Sequence, residues 1–214
     1  MNNTVTIGDS SCNGEDACLV TDTADLPYII ISDTSCNGRG SCFNNRGNVS
    51  SASCVGELAC ASNRGDIGPN SCDGFKTCLA NFGDIGEFSC FDSVDSDNDV
   101  EDPDSYLGVC MVNKGSIGSS SCRTTSACTS NRGTIGDESC LGQSSCIDFG
   151  GTVEDRSCLG LDSCKNSTGV VQNDSCKGLA SCENQQGVIS SGSCVDSFSC
   201  YENAATIGAN SWYV

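Results

Sequence analysis

Residues 49–84 read VSSASCVGELACASNRGD and then IGPNSCDGFKTCLANFGD, which are two copies of one pattern of 18 residues. Each copy opens with a β-branched residue, Val49 or Ile67, and carries two Cys that are six residues apart. Each copy closes on Asn-x-Gly-x, so that Asn, Gly and the next opening residue alternate with a period of two. That period is typical of a short β-strand with these three residues on its inner side.

The same pattern runs along the whole chain. Nine of the ten Cys pairs are six residues apart, and the pair Cys90/Cys110 contains fourteen additional residues. The step between pairs is 18 except at two places, which predicts insertion loops at about residues 19–30 and 91–109. We therefore predict a single domain over residues 1–214. The pairs are Cys12/Cys18, Cys36/Cys42, Cys54/Cys60, Cys72/Cys78, Cys90/Cys110, Cys122/Cys128, Cys140/Cys146, Cys158/Cys164, Cys176/Cys182 and Cys194/Cys200.

A repeat of this length is too short for a helical hairpin and fits three short strands with three corners. We predict that the other two strands are centred on the two Cys, with corners such as Gly56-Glu57-Leu58 between them. The predicted fold is all-β, a parallel β-solenoid (β-helix) of about eleven triangular coils. At about 4.8 Å per coil it would form a rod of about 50 Å. Its handedness is not determined by the sequence.

Composition excludes several classes of function. The chain has 28 acidic and 10 basic residues, a net charge of -18 and no His. We predict no nucleic-acid partner, because phosphate binding needs clustered Lys and Arg. No apolar run is long enough for a membrane span. Aromatic residues are 6% of the chain, too few for an ordinary core, so that another source of order is needed.

Three interpretations of the Cys compete: disulfides within a coil, disulfides between coils, and thiols that are free or bind metal. Disulfides between coils would make successive coils alternate between two roles. The period would then be 36 residues, whereas the sequence repeats every 18. Cys ligands of zinc are usually two to four residues apart. The spacing therefore favours pairing within each coil. Each such loop of seven residues stabilises the fold by about 2 kcal/mol in the chain-entropy model.

Twenty bridged Cys predict an oxidising compartment. We therefore expect a secreted protein, extracellular or at the cell surface, whose leader is not present in this chain. Four N-glycosylation sequons agree with secretion, although sequons also arise by chance in a chain rich in Ser, Thr and Asn. The candidate acceptors are Asn2, Asn48, Asn166 and Asn173.

At these Cys positions the chain resembles the disulfide-stapled β-solenoids of insect hyperactive antifreeze proteins, which also set Cys six apart in every coil. The resemblance implies inward-pointing Cys and, as a functional expectation, ice binding. This sequence departs from that family in its longer coil and in having no Thr-x-Thr ladder. Its Ser-Cys-x-Gly repeats also resemble those of Cys-rich repeat surface proteins predicted in marine algae.

The second insertion is strongly acidic. Asp95, Asp97, Asp99 and Glu101 are spaced by two residues, as the first ligands of many calcium loops are. Val100 stands where an EF-hand needs Gly, and Tyr106 stands where it needs Glu, so this is not an EF-hand. Two interpretations stay open, a solvated acidic loop and a calcium site, and calcium is the one cofactor that the sequence suggests.

If the loop is a calcium site, millimolar calcium should raise the melting temperature, because a ligand that binds only the folded state stabilises it. The Asp97→Ala variant should lose that increment in calorimetry. A titration with neither heat nor stabilisation would leave the solvated loop.

The outward positions vary between coils in charge and size. A flat ice-binding face would be interrupted by charged residues at several of them, which are Arg46, Arg64, Asp66, Asp84, Lys114 and Arg132. No nucleophile–base pair is identifiable, and we predict a protein that is not an enzyme. The predicted function is an extracellular structural or binding module of a cell surface, filament or matrix.

Two other functions remain as alternatives. One is an ice-binding (antifreeze) protein, with ice as the partner. The other is a module for calcium-dependent adhesion or polysaccharide binding. The predicted partners are a glycan or matrix component and further copies of the chain, added end to end through open strand edges.

Overall fold

The computed structural model describes residues 5–20, 28–91 and 108–211. These ranges contain no helix, and hence none long and apolar enough to cross a membrane. Strand β1 (Val5–Ile7) pairs in parallel with β2 (Ile29–Ile31). A four-stranded parallel sheet follows the chain order and consists of β3 (Thr134–Ile135), β4 (Thr152–Val153), β5 (Val170–Val171) and β6 (Val188–Ile189).

Isolated parallel bridges connect these two sheets through the same position of every repeat. The opening residue of one repeat pairs with the opening residue of the next, as in Val49 with Ile67 and Ile67 with Ile85. Ile85 pairs with Ile117 across the second insertion, so the insertion leaves the register unchanged. Strand β2 begins at Ile29, inside the first predicted insertion. The protein is therefore an all-β repeat in which successive units lie side by side.

The prediction of strands centred on the two Cys is wrong. All ten first Cys of the pairs have a positive φ between 54° and 60°. Residues in this left-handed region turn the chain and interrupt the extended backbone of a strand. Seven second Cys have φ between 53° and 56°, and they are Cys78, Cys110, Cys128, Cys146, Cys164, Cys182 and Cys200.

The remaining three second Cys are not strand residues either. Cys18, Cys42 and Cys60 have no positive φ, but each lies within a turn that follows the preceding glycine corner. Each repeat therefore has one short strand or bridge, and both Cys of every pair lie outside it.

Backbone hydrogen bonds still join these turns to the neighbouring repeats. The N–H of Cys36 donates to the carbonyl of Ser53 at 2.9 Å, and the N–H of Cys158 donates to the carbonyl of Ser175 at 3.0 Å. The turns thus satisfy backbone polar groups between units as a sheet does.

The interior consists of narrow columns. The β-branched opening residues from Ile31 to Ile207 are buried, and so are most of the disulfides. The Ser before each first Cys forms a ladder of hydrogen bonds. The Oγ of Ser53 accepts the N–H of Ser71 at 3.2 Å and donates to the carbonyl of Gly68 at 2.8 Å. The same pair of contacts recurs from Ser35 to Ser193, so that buried hydroxyls take the place of bulky side chains.

Candidate functional site

The ten disulfides join the two Cys of each repeat. Nine connect Cys that are six residues apart, the tenth spans the second insertion, and all have Cα–Cα distances of 5.5–5.8 Å. The bridges are Cys12–Cys18, Cys36–Cys42, Cys54–Cys60, Cys72–Cys78, Cys90–Cys110, Cys122–Cys128, Cys140–Cys146, Cys158–Cys164, Cys176–Cys182 and Cys194–Cys200.

The bridges stack closely on one another. The sulfur atoms of Cys72, Cys78 and Cys90 lie within 4.8 Å of one another, although they belong to two different repeats. None of the described Cys is free. A bridged sulfur is not a thiolate and is therefore not the ligand that a zinc site requires.

The candidate calcium ligands Asp95, Asp97, Asp99 and Glu101 lie outside the described residues. The described chain stops at Phe91 and resumes at Gly108. The Cys90–Cys110 bridge holds the two sides of this insertion 5.8 Å apart at their Cα atoms.

The glycosylation candidates differ in their surroundings. Asn2 lies outside the described residues, Asn166 is exposed, and Asn48 and Asn173 are half-buried. The Oδ1 of Asn48 accepts the backbone N–H of Ile30 at 2.9 Å. This contact leaves the Asn48 Nδ2 atom, the one that a glycan would modify, outside that hydrogen bond.

A ladder of buried amides runs beneath one face of the first half of the array. The Nδ2 of Asn63 donates to Asn45 Oδ1 at 2.8 Å, and the Nδ2 of Asn81 donates to Asn63 Oδ1 at 2.7 Å. Asn113 and Asn131 continue the ladder at 2.8 Å each. Sequence reasoning placed these Asn on the inner side of the strand but missed the ladder, for which their recurrence at one repeat position was the signal.

Each of these amides also fixes the local turn of its own repeat. The Nδ2 of Asn63 donates to the carbonyl of Gly65 at 2.7 Å, and the Nδ2 of Asn113 donates to the carbonyl of Gly115 at 2.7 Å. The ladder ends where Phe149 occupies the Asn position and fills the interior with an apolar ring.

We expect Asn81→Ala to lower the free energy of unfolding by about 2 kcal/mol, because it leaves buried partners without hydrogen bonds. Asn63 Oδ1 loses its donor and Asn113 Nδ2 loses one acceptor. Asn203→Ala is the matched control, since the side chain of Asn203 bonds within its own repeat, to Ala205. Denaturant unfolding should show a clearly larger loss for Asn81→Ala, and equal losses would contradict a contribution from the ladder.

The residue between Asn and Gly points outward, and in the first half of the array it is mostly basic. The basic column is defined as Arg46, Arg64, Phe82, Lys114 and Arg132. The backbone N–H of each donates to the carbonyl of the next repeat at 2.7–2.8 Å, as Arg64 does to Asn81. The Arg64 guanidinium carbon lies 5.1 Å from the centre of the Phe82 ring.

A second outward column lies beyond the glycine and includes two carboxylates. Asp66 Oδ1 accepts the N–H of Asn48 at 2.9 Å, and Asp84 Oδ1 accepts the N–H of Asp66 at 3.0 Å. The other described members in this half are neutral. After Arg132 the outward residues of both columns carry no charge, and they are Gly150, Thr152, Thr168, Val170, Gln186, Val188, Ala204 and Thr206. The charged interruptions that the sequence predicted are therefore confined to one half of this face.

Ion pairs elsewhere account for the clearest electrostatic shifts. Arg156 and Lys177 donate to the carboxylate of Asp174 at 2.9–3.2 Å, and these hydrogen bonds lower the pKa of Asp174 to about 2. Burial raises the pKa of the Asp73 carboxyl above its ordinary value. Asp73 lies in a shallow groove of about 420 Å³ beside Val55 and Arg123.

Comparison with known proteins identifies a repeat family. The family model described as a domain of unknown function (DUF7640) matches residues 34–143, 106–169 and 157–213. No curated protein and no solved structure matches the chain. The three matches together cover residues 34–213, and their succession agrees with the regular Cys repeats. This Cys-rich repeat protein therefore belongs to the DUF7640 family.

Proposed function

We propose that the repeats close into one continuous parallel β-solenoid and that this rod is an extracellular, non-catalytic structural or binding module of a cell surface, filament or matrix. One observation carries the proposal: the inner columns of β-branched, Ser and Cys residues repeat from Ile31 to Cys200, whereas the outward columns vary between repeats. A scaffold needs only its interior to repeat. The Ser ladder and the disulfide stack meet that requirement on both sides of the second insertion.

The environment agrees with this proposal. Ten disulfides are stable only where the medium is oxidising, as it is outside the cell. The disulfides also explain how a chain with few aromatic residues stays ordered, since small disulfide-dense proteins use cross-links in place of a large core.

An open strand edge supports assembly end to end. Among the described residues β1 pairs only with β2, which leaves its other edge without a strand partner. The side chain of Ile7, equivalent to the buried opening residues, is 51% exposed. An exposed edge with apolar side chains is a template for a further strand.

We expect the protein to associate end to end at high concentration and Ile7→Lys to weaken the association by about tenfold or more, since a charge would be desolvated at the contact. Thr6→Lys is the matched control, because it adds the same charge to the adjacent, outward-facing residue of the same strand. Sedimentation equilibrium over a range of concentrations measures both. A strictly monomeric protein, or equal effects of the two variants, would contradict assembly through this edge.

Ice binding is the second candidate. The observation that favours it is that the two outward columns carry no charge after Arg132. This part of the array also has parallel strands in register, such as β4 and β5. Thermal hysteresis with faceted ice crystals at micromolar protein would support ice binding, provided that Thr168→Lys abolishes it. We expect little hysteresis, because outward residues as different as Gly150 and Gln186 do not form a regular lattice.

A further inference from the structure

The basic column concentrates positive charge on a strongly acidic protein. The chain has ten Lys and Arg residues and a net charge of -18, yet four of the ten lie in this one column. Arg64, Lys114 and Arg132 are exposed. The column therefore forms a local basic line on a surface whose average charge is negative.

The fold holds these residues in a straight line. Their backbone N–H groups bond to the next repeat at 2.7–2.8 Å, which sets neighbouring members about 4.8 Å apart. The buried Asn ladder lies directly beneath the column and spans the same five repeats, from Asn45 to Asn131. Both stop together, where Phe149 and Gly150 replace the Asn and the cation. A side chain carried by such a fixed backbone loses little freedom when it binds a ligand.

The cations are not needed for the fold. Like charges directly opposite each other on neighbouring strands destabilise a sheet. Arg46 stands next to Arg64, and Lys114 stands next to Arg132. Further along the same column Gly150, Thr168 and Gln186 keep the same parallel register without charge. The parallel register of this column therefore does not depend on the cations, and a ligand would account for their alignment.

An aromatic ring divides the basic column. Phe82 is 44% exposed, stands between Arg64 and Lys114, and has the Arg64 guanidinium over its ring. An exposed aromatic ring packs against the apolar face of a sugar. Arg binds carboxylate and sulfate groups through two parallel N–H donors.

We propose that the basic column binds an extended acidic polysaccharide, carboxylated or sulfated, which lies along the stacked repeats with one sugar ring on Phe82. The neighbouring Asp66 and Asp84 would repel the second row of phosphates of a nucleic-acid duplex. A single polysaccharide chain with its acidic groups on one side has no second row of charges and avoids that repulsion. The inference assigns a ligand to the proposed extracellular module but does not depend on end-to-end assembly.

The test measures binding of dextran sulfate and of alginate to the full chain by biolayer interferometry, with neutral dextran of the same length as the reference. We expect both acidic polymers to bind and neutral dextran not to bind, and high salt to weaken binding by screening. The triple variant Arg64→Gln/Lys114→Gln/Arg132→Gln should bind at least about tenfold more weakly, because three charge-assisted contacts are lost. Its melting temperature should stay the same or rise.

The matched control is Arg123→Gln/Lys165→Gln/Lys177→Gln, which removes the same charge from other surfaces and should change affinity by less than about twofold. Phe82→Ser should weaken binding by about threefold or more without changing the charge.

Three results would overturn the proposal: equal losses from the two triple variants, binding of single-stranded DNA as tight as that of dextran sulfate, or no binding of either acidic polymer. The last would leave the structural role of the module in place.

Discussion

Replacing Cys140 and Cys146 together by Ala is expected to lower the free energy of unfolding by about 4 kcal/mol, within the range found when native disulfides are removed. Two effects add. The closed loop of seven residues restricts the unfolded chain, which contributes about 2 kcal/mol. Both side chains are also fully buried, so that removing the two sulfur atoms leaves a cavity against the neighbouring bridges.

The pair Cys12/Cys18 separates these two effects. It closes a loop of the same length, but it lies in the first repeat and both Cys are only half-buried. Its replacement by Ala should therefore cost about 2 kcal/mol, the loop contribution alone. Urea unfolding followed by circular dichroism measures both variants. Equal losses would show that packing of the stacked bridges contributes nothing.

Reducing and alkylating all ten bridges should unfold the protein. Nine loops of seven residues at about 2 kcal/mol each and the longer Cys90–Cys110 loop at about 3 kcal/mol amount to about 20 kcal/mol, more than the whole stability of an ordinary domain. Mass spectrometry of the non-reduced protein should find the ten pairs and no thiol. A systematic linkage between Cys that are 18 residues apart would contradict the pairing.

Gly151→Ala is expected to lower the free energy of unfolding by about 3 kcal/mol, the upper part of the range for overpacking. Gly151 occupies the repeat position between the two outward columns, where an added Cβ would point at the backbone of the next unit. A Cβ there would collide with the backbone carbonyl of Gly169 in the next repeat. That carbonyl accepts the N–H of Thr152 and cannot move without breaking the ladder.

Gly150→Ala is a control that differs by a single position. A Cβ at Gly150 points outward and meets only the side chain of Thr168, at 3.4 Å. This substitution should leave stability unchanged or raise it by up to about 1 kcal/mol, because Ala restricts the unfolded chain more than Gly does. Thermal unfolding of the two variants tests the comparison. A tolerated Gly151→Ala would mean that the repeats can separate locally at little cost.

The parallel repeat could be predicted from the sequence alone. The same three residue types, a β-branched residue, a Ser and a Cys, recur at fixed steps because each contacts its own copy in the next unit. The pairing of Val49 with Ile67 could therefore be predicted from their separation of 18 residues. The backbone at the Cys could not be predicted. A left-handed φ leaves a compositional signal where Gly or Asn adopts it, but here Cys, Ser, Ala and even Phe88 adopt it, so the residue types gave no signal.

The amide ladder and the basic column are decided only by the tertiary structure. Phe82 and Lys114 are 32 residues apart in the chain, with the acidic insertion between them, and the sequence alone places the Arg and Lys residues on one face without a common role. The bridge between Ile85 and Ile117 brings the two sides of the insertion into adjacent repeats, and the amides of Asn81 and Asn113 then meet at 2.8 Å. Local periodicity determines what each repeat presents inward. Which outward side chains become neighbours depends on hydrogen bonds between distant segments, and those form only when the units stack.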